Sequence, residues 1–180
     1  MAEFIYQMIK ARKAHGDKVI LDDVTLMFLP GAKIGVVGPN GAGKTTLFAL
    51  MSGFLTPDSG RITFDGVEIT GRAPHLNATL DLTRTFQIVQ PFASQTVREN
   101  IAIGAHLQHA SRSEALHAAE AVAQRVGLFD QLDKPASDLT VAGRKRLELA
   151  RALATKPKLL LLDEPVAGMN REETEDMARF

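Results

Sequence analysis

Within the run Gly38–Thr46 (GPNGAGKTT), the first eight residues fit the pattern G-x-x-x-x-G-K-[ST] and Thr46 follows it. Each position has a chemical reason. Glycines at 38, 41 and 43 let the backbone curl until successive N–H groups face inward, a cradle for phosphate oxygens that also takes in Asn40 and Ala42. Lys44 brings a point charge to the β- and γ-phosphates of a nucleoside triphosphate. The Thr45 hydroxyl, with Thr46 beside it, suits Mg²⁺. A helix following the loop adds its positive N-terminal end. A glycine-rich turn at a helix start shares part of this pattern, but the complete motif between a strand and a helix decides for phosphate binding.

A second run, Leu159–Pro165 (LLLLDEP), is a buried strand ending in two acids. Such a strand delivers them at the carboxyl edge of a sheet, where ligands of open α/β sheets sit. Asp163 is then placed to hold Mg²⁺ through water, and Glu164 to orient and deprotonate an attacking water. Hydrophobic runs ending in acids are common, and alone this one reads as a core strand before a solvated loop. Beside a complete phosphate loop it reads as a site. Between the two motifs, Gln87 stands at the end of an expected strand, Leu80–Phe86; by residue type alone it is an ordinary polar strand end.

Elements must position these groups. Strands are expected at Phe4–Met8, Val19–Phe28, Lys33–Val37 and Lys158–Leu162, with the third buried and parallel. Arg61–Phe64 and Val67–Thr70 flank Asp65-Gly66, a hairpin by its turn chemistry. Helices are expected at Lys44–Met51, from Thr96 to Arg125, at Lys145–Ala154 and from Arg171, and Ser111 with Glu114 has capping-box spacing. The pattern is α/β, with an antiparallel section early and a helical section in the middle. At 180 residues the chain fits one domain. Its 21 basic and 21 acidic side chains cancel, which gives no support for coating a nucleic acid, and the absence of cysteine excludes disulfides and thiolate metal sites. No apolar run reaches the roughly 20 residues that span a bilayer. A soluble, cytoplasmic protein is expected, peripheral to the membrane only through a partner.

The two motifs and Gln87 together resemble the ABC ATPase superfamily over the whole chain. That resemblance implies a P-loop NTPase core with a mostly parallel sheet: residues 1–87 and 143–180 as the nucleotide-binding core, residues 88–142 as a helical subdomain. It implies ATP and Mg²⁺ as ligands, a Gln87 that reaches Mg²⁺ and the attacking water, and a partnership with an integral membrane transport subunit. Leu139–Leu153 (LTVAGRKRLELARAL) aligns with the family signature that caps the γ-phosphate held by the opposite subunit of a homodimer. The usual Ser-Gly-Gly-Gln is here Thr140-Val141-Ala142-Gly143; Thr140 keeps the hydroxyl, Gly143 keeps some flexibility, and the cap is expected to be looser. His15 falls where the family often carries an aromatic that stacks on adenine, and a loop histidine without a ligand role fits equally.

At finer scale, residues 1 to about 43 are similar to the first domain of the ABC-F translation factors, as in RKAHGDKVILDDVTL. From Thr45 onward, RTFQIVQPFASQTVRENI and DEPVAGMN are similar to the ATPase subunit of branched-chain amino acid importers. A crossover inside the phosphate loop implies a recombined or engineered chimera. The family's switch histidine should follow the acidic motif, yet none of the 16 residues after Glu164 is His, which implies a C-terminal truncation and a gap in the sheet. That gap is expected to be met by direct pairing of the phosphate-loop strand with Lys158–Leu162, by an exchanged dimer, or by staying partly open. Three roles compete: a transport ATPase working as a head-to-tail dimer, an ABC-F-like factor on the ribosome, and a nucleotide-binding fragment without a physiological partner. The middle section favours the first.

Overall fold

The computed structural model describes residues 3–36, 38–39, 41–85, 90–163 and 171, grouped into two compact units, 1–82 and 83–180. The expectations for Asn40, Gln87 and Glu164, and for the helix from Arg171, lie outside the described residues or almost entirely so.

The first unit is built on an antiparallel sheet in the order β2-β1-β3-β4, formed by Tyr6–His15 (β1), Lys18–Phe28 (β2), Ser59–Phe64 (β3) and Val67–Glu68 (β4). β1 runs well past the expected Phe4–Met8. Its alternation is broken at Lys10, which takes a left-handed φ of 52° and shifts the register between Met8 and Ala11. The bulge keeps Ala11 on the same buried side as Tyr6 and Met8, three residues on instead of two. Gly60 on β3 makes the close approach possible: a Cβ there would meet the Lys10 and Ile9 carbonyls at 2.6 and 2.7 Å. The β3–β4 turn has φ values of 49° at Asp65 and 76° at Gly66, the tight hairpin expected of that pair. The Lys13 ammonium, then the Ala14 N–H, hold the Asp58 carboxyl below its ordinary range and tie the entry of β3 to β1. Tyr6, Met8, Ile62 and Phe64 share a core with Leu50 and Met51 of helix α1, Lys44–Ser52, and Tyr6 stacks on Phe28 with ring centroids 5.4 Å apart.

The expected buried strand at Lys33–Val37 is a correction. Residues 33–36 join no ladder, and Ile34 and Val36 are 52% and 39% exposed. An apolar run becomes a strand only where a neighbour takes up its N–H and C=O groups, and among the described residues none does so.

A short helix, Pro74–Ala78 (α2), closes the first unit before β5, Leu82–Arg84. The second unit packs three helices, Val97–Ala105 (α3), Arg112–Arg125 (α4) and Val141–Ala154 (α5), around small residues: Ala102, Ala105, Ala115, Ala119, Ala123 and Ala150. The stretch expected to be helical from Thr96 to Arg125 forms two helices, the second starting just after Ser111, where the capping-box spacing falls. Each has its own N-cap, because Thr96 and Ser111 accept hydrogen bonds from the backbone N–H groups of Glu99 and Glu114. At Thr96 the capping box is complete. The Thr96 N–H and hydroxyl bind the Glu99 carboxylate and hold its pKa below the ordinary value. β6, Leu159–Leu161, pairs with β5 in a separate two-stranded sheet.

Candidate functional site: a phosphate loop and a clamped aspartate

In the first unit the loop leads directly into α1. Gly43 is the N-cap, in the left-handed region at φ 87°, and Gly41 shares that region at 82°. A Cβ on Gly43 would meet Ile20 Cγ2 at 2.9 Å, so conformation and space both call for glycine. A glycine cap offers no side chain to the N–H groups of the first turn, and that turn, which carries Lys44, Thr45 and Thr46, holds no acid. A helix start of this kind favours an anion. The loop closes on itself through the Ala42 N–H to the Pro39 carbonyl at 3.2 Å. Lys44 Nζ donates to the Gly38 carbonyl and, at 3.1 Å, to that of Pro39, so its ammonium reaches back across the loop. His15 sits exposed at the end of β1, opposite Lys18 in the hairpin.

In the second unit Asp163 follows β6 with only 5% of its surface exposed. Two residues that motif reading passed over surround it. Arg84 Nη2 donates to Asp163 Oδ2 at 2.9 Å, and the Asp163 N–H donates to Thr85 Oγ1 at 3.2 Å. Thr85 also donates its own N–H to the Leu161 carbonyl at 2.9 Å. No local signal announces this contact, since Arg84 and Asp163 stand 79 positions apart. The stretch from Gln90 to Thr96 is also held. Buried Asn100 accepts from the Phe92 N–H at 2.9 Å and donates to the carbonyls of Phe92, Gln95 and Thr96. The Arg151 guanidinium lies 5.0 Å from the Phe92 ring centre and donates to the Gln90 carbonyl.

The aligned signature forms the start of α5. Thr140 is its N-cap, accepting the Gly143 N–H at 3.1 Å. Gly143 lies inside the first turn, where a Cβ would meet Leu139 Cβ at 3.3 Å; it is packed helix backbone and not a hinge. The helix therefore begins four residues before the expected Lys145.

Among the described residues no group of three or more His, Cys, Asp or Glu is gathered to hold an ion alone. Within the second unit Asp163 offers a carboxylate of the kind Mg²⁺ takes alongside nucleotide phosphates. No helix of the described residues is long and apolar enough to cross a membrane.

Comparison with known proteins agrees with this geometry. The family model described as "ABC transporter" matches residues 21–167. The chain is 34% identical to the high-affinity branched-chain amino acid transport ATP-binding protein LivG of Escherichia coli K12, over 90% of this chain and 69% of that protein. It is 40% identical to the energy-dependent translational throttle protein EttA of Mycobacterium tuberculosis, over 97% of this chain and 35% of that one. Among solved structures, an ATP-binding cassette of an ABC transporter in its ADP conformation superposes with a TM-score of 0.86 at 30% identity, covering 98% of this chain and 75% of the other. CbiO1 of Clostridium perfringens, part of the ABC transporter complex CbiONQ, gives 0.86 at 28% identity, covering 98% and 72%. The chain belongs to the ABC transporter family of ATP-hydrolysing domains and has their P-loop NTPase fold.

Proposed function

We propose that this chain binds ATP with Mg²⁺ and hydrolyses it as the motor subunit of an importer, with branched-chain amino acids as the cargo class. The observation that carries the reading is the loop itself: a glycine-capped helix start free of acids, with Lys44 reaching across it. Gly38 to Thr46, with Asn40 and Ala42, cradle the phosphates; Lys44 meets the β- and γ-phosphate charge. Thr45, Gln87 and Asp163 hold Mg²⁺, which when bound neutralises charge on the phosphate oxygens. Glu164 takes a proton from water as the water oxygen bonds to the γ-phosphorus and the bond to the bridging oxygen breaks, releasing ADP. His15 stacks on adenine. Thr140 and Gly143 act on the nucleotide of the opposite copy in a homodimer. Residues 88–142 are a helical subdomain, and the loop of Gln87 meets the membrane partner.

Lys44→Ala tests the carrying observation. Loss of the charge is expected to weaken ATP affinity at least about tenfold, roughly 1.4 kcal/mol. Superimposable titration curves for the two proteins would overturn the assignment. The 40% identity to EttA supports a second reading, an energy-dependent factor acting in translation. Co-sedimentation with ribosomes in ATP selects that reading, and capture by detergent-solubilised importer subunits selects the first.

A further inference from the structure

The Asp163 side chain is 6% exposed, and an ionised carboxylate at that depth is costly without a counter-charge. Arg84, the last residue of β5, supplies one through Nη2, and its own side chain is only 8% exposed. Thr85 holds the same short stretch by its backbone and hydroxyl, so residues 84–85 clamp residues 161–163 at three points. The pair is built, sealed and specific in geometry.

An arginine cannot shed its proton to suit a neighbour. Its charge therefore stays beside Asp163 when a divalent cation approaches the same carboxylate. Repulsion between cations is far stronger in a buried site than in water. We propose that Arg84 is a positioning residue that holds Asp163 ready and competes with Mg²⁺ for its carboxylate, thereby setting the Mg²⁺ concentration at which nucleotide is gripped. The inference rests on the reading of Asp163 as a Mg²⁺ residue.

The test titrates Mg²⁺ against binding of a non-hydrolysable, fluorescent ATP analogue, starting in chelator. Arg84→Gln keeps a donor for Oδ2 and removes the charge. Its half-saturating Mg²⁺ is expected to fall about fivefold or more, while affinity in chelator stays within about twofold. Arg84→Lys keeps the charge and is expected to titrate like the wild type. A Mg²⁺ midpoint in Arg84→Gln that is unchanged or raised overturns the inference, as does an equal shift in Arg84→Lys. Should Arg84→Gln be too unstable to titrate, adding Asp163→Asn removes the orphaned charge and is expected to restore the melting midpoint; a double variant no more stable than the single overturns the pairing. A wild type whose nucleotide binding ignores Mg²⁺ overturns the Asp163 reading and this inference with it. A Mg²⁺-dependent wild type with an unresponsive Arg84→Gln overturns this inference alone.

Discussion

Lys44 spends its ammonium on two carbonyls of its own loop, those of Gly38 and Pro39. Those bonds keep a flexible four-carbon side chain folded over the loop, and a phosphate outcompetes them because a full negative charge meets the ammonium better than a carbonyl dipole does. In the proposed mechanism the hydrolytic step depends on a different residue. Glu164→Gln keeps shape and loses basicity, so ATP is expected to bind as before while turnover falls roughly a hundredfold or more. Equal turnover in a phosphate-release assay would remove Glu164 from the role of base. The phosphate loop was legible from the sequence because its chemistry is local: nine neighbouring residues contain the whole argument. Asp163 was legible only as a placement, since its partners Arg84 and Thr85 come from another strand and appear only once β5 and β6 pair. The Thr96–Glu99 box stands in the sequence as T-x-x-E at the start of the expected helical stretch, as Ser111–Glu114 stands within it, and both threonine and serine are N-caps in the structure.

Among the elements, the α3–α5 contact shows how little room alanine-rich packing leaves. Gly104 sits in the last turn of α3, and a Cβ there would come within 2.2 Å of the Arg151 carbonyl and 3.2 Å of Ala154 Cβ on α5. The obstacle at 2.2 Å is backbone, which cannot rotate aside. Helix propensity favours Gly104→Ala by up to about 1 kcal/mol. Overpacking costs about 1–3 kcal/mol and wins here, because α5 would have to move as a body. Gly104→Ala is thus expected to lower the urea midpoint measured by circular dichroism. A variant as stable as the wild type, or more so, would mean that the helices separate without cost. The same logic explains what the sequence could not specify about elements. Tight turns such as Asp65-Gly66 follow from the residues in them, whereas the state of residues 33–36 depends on whether another strand lies alongside.

At the scale of the whole molecule, the reading of this chain as one half of a head-to-tail dimer turns on Thr140. Its hydroxyl accepts the Gly143 N–H, and a hydroxyl so engaged still has a proton to donate. The first turn of α5 carries no acidic residue, so the positive end of the helix is not neutralised by its own side chains, and Val141 beside it is 61% exposed. In the proposed dimer this end meets a second molecule's γ-phosphate. With Glu164→Gln to preserve ATP, sedimentation in ATP and Mg²⁺ is expected to give twice the chain mass, falling back to one chain in chelator. Thr140→Ala loses both cap and donor, at about 1 kcal/mol of stability, which confounds its effect on the dimer. Thr140→Asp separates the two. Aspartate caps a helix as well as threonine does, yet its carboxylate repels a phosphate brought to the same helix end. It is therefore expected to fold with wild-type stability, bind ATP as a single chain, and fail to dimerise, whereas Thr140→Ser dimerises normally. A Thr140→Asp protein that doubles its mass in ATP as readily as the parent would show that the start of α5 does not meet a phosphate across the dimer.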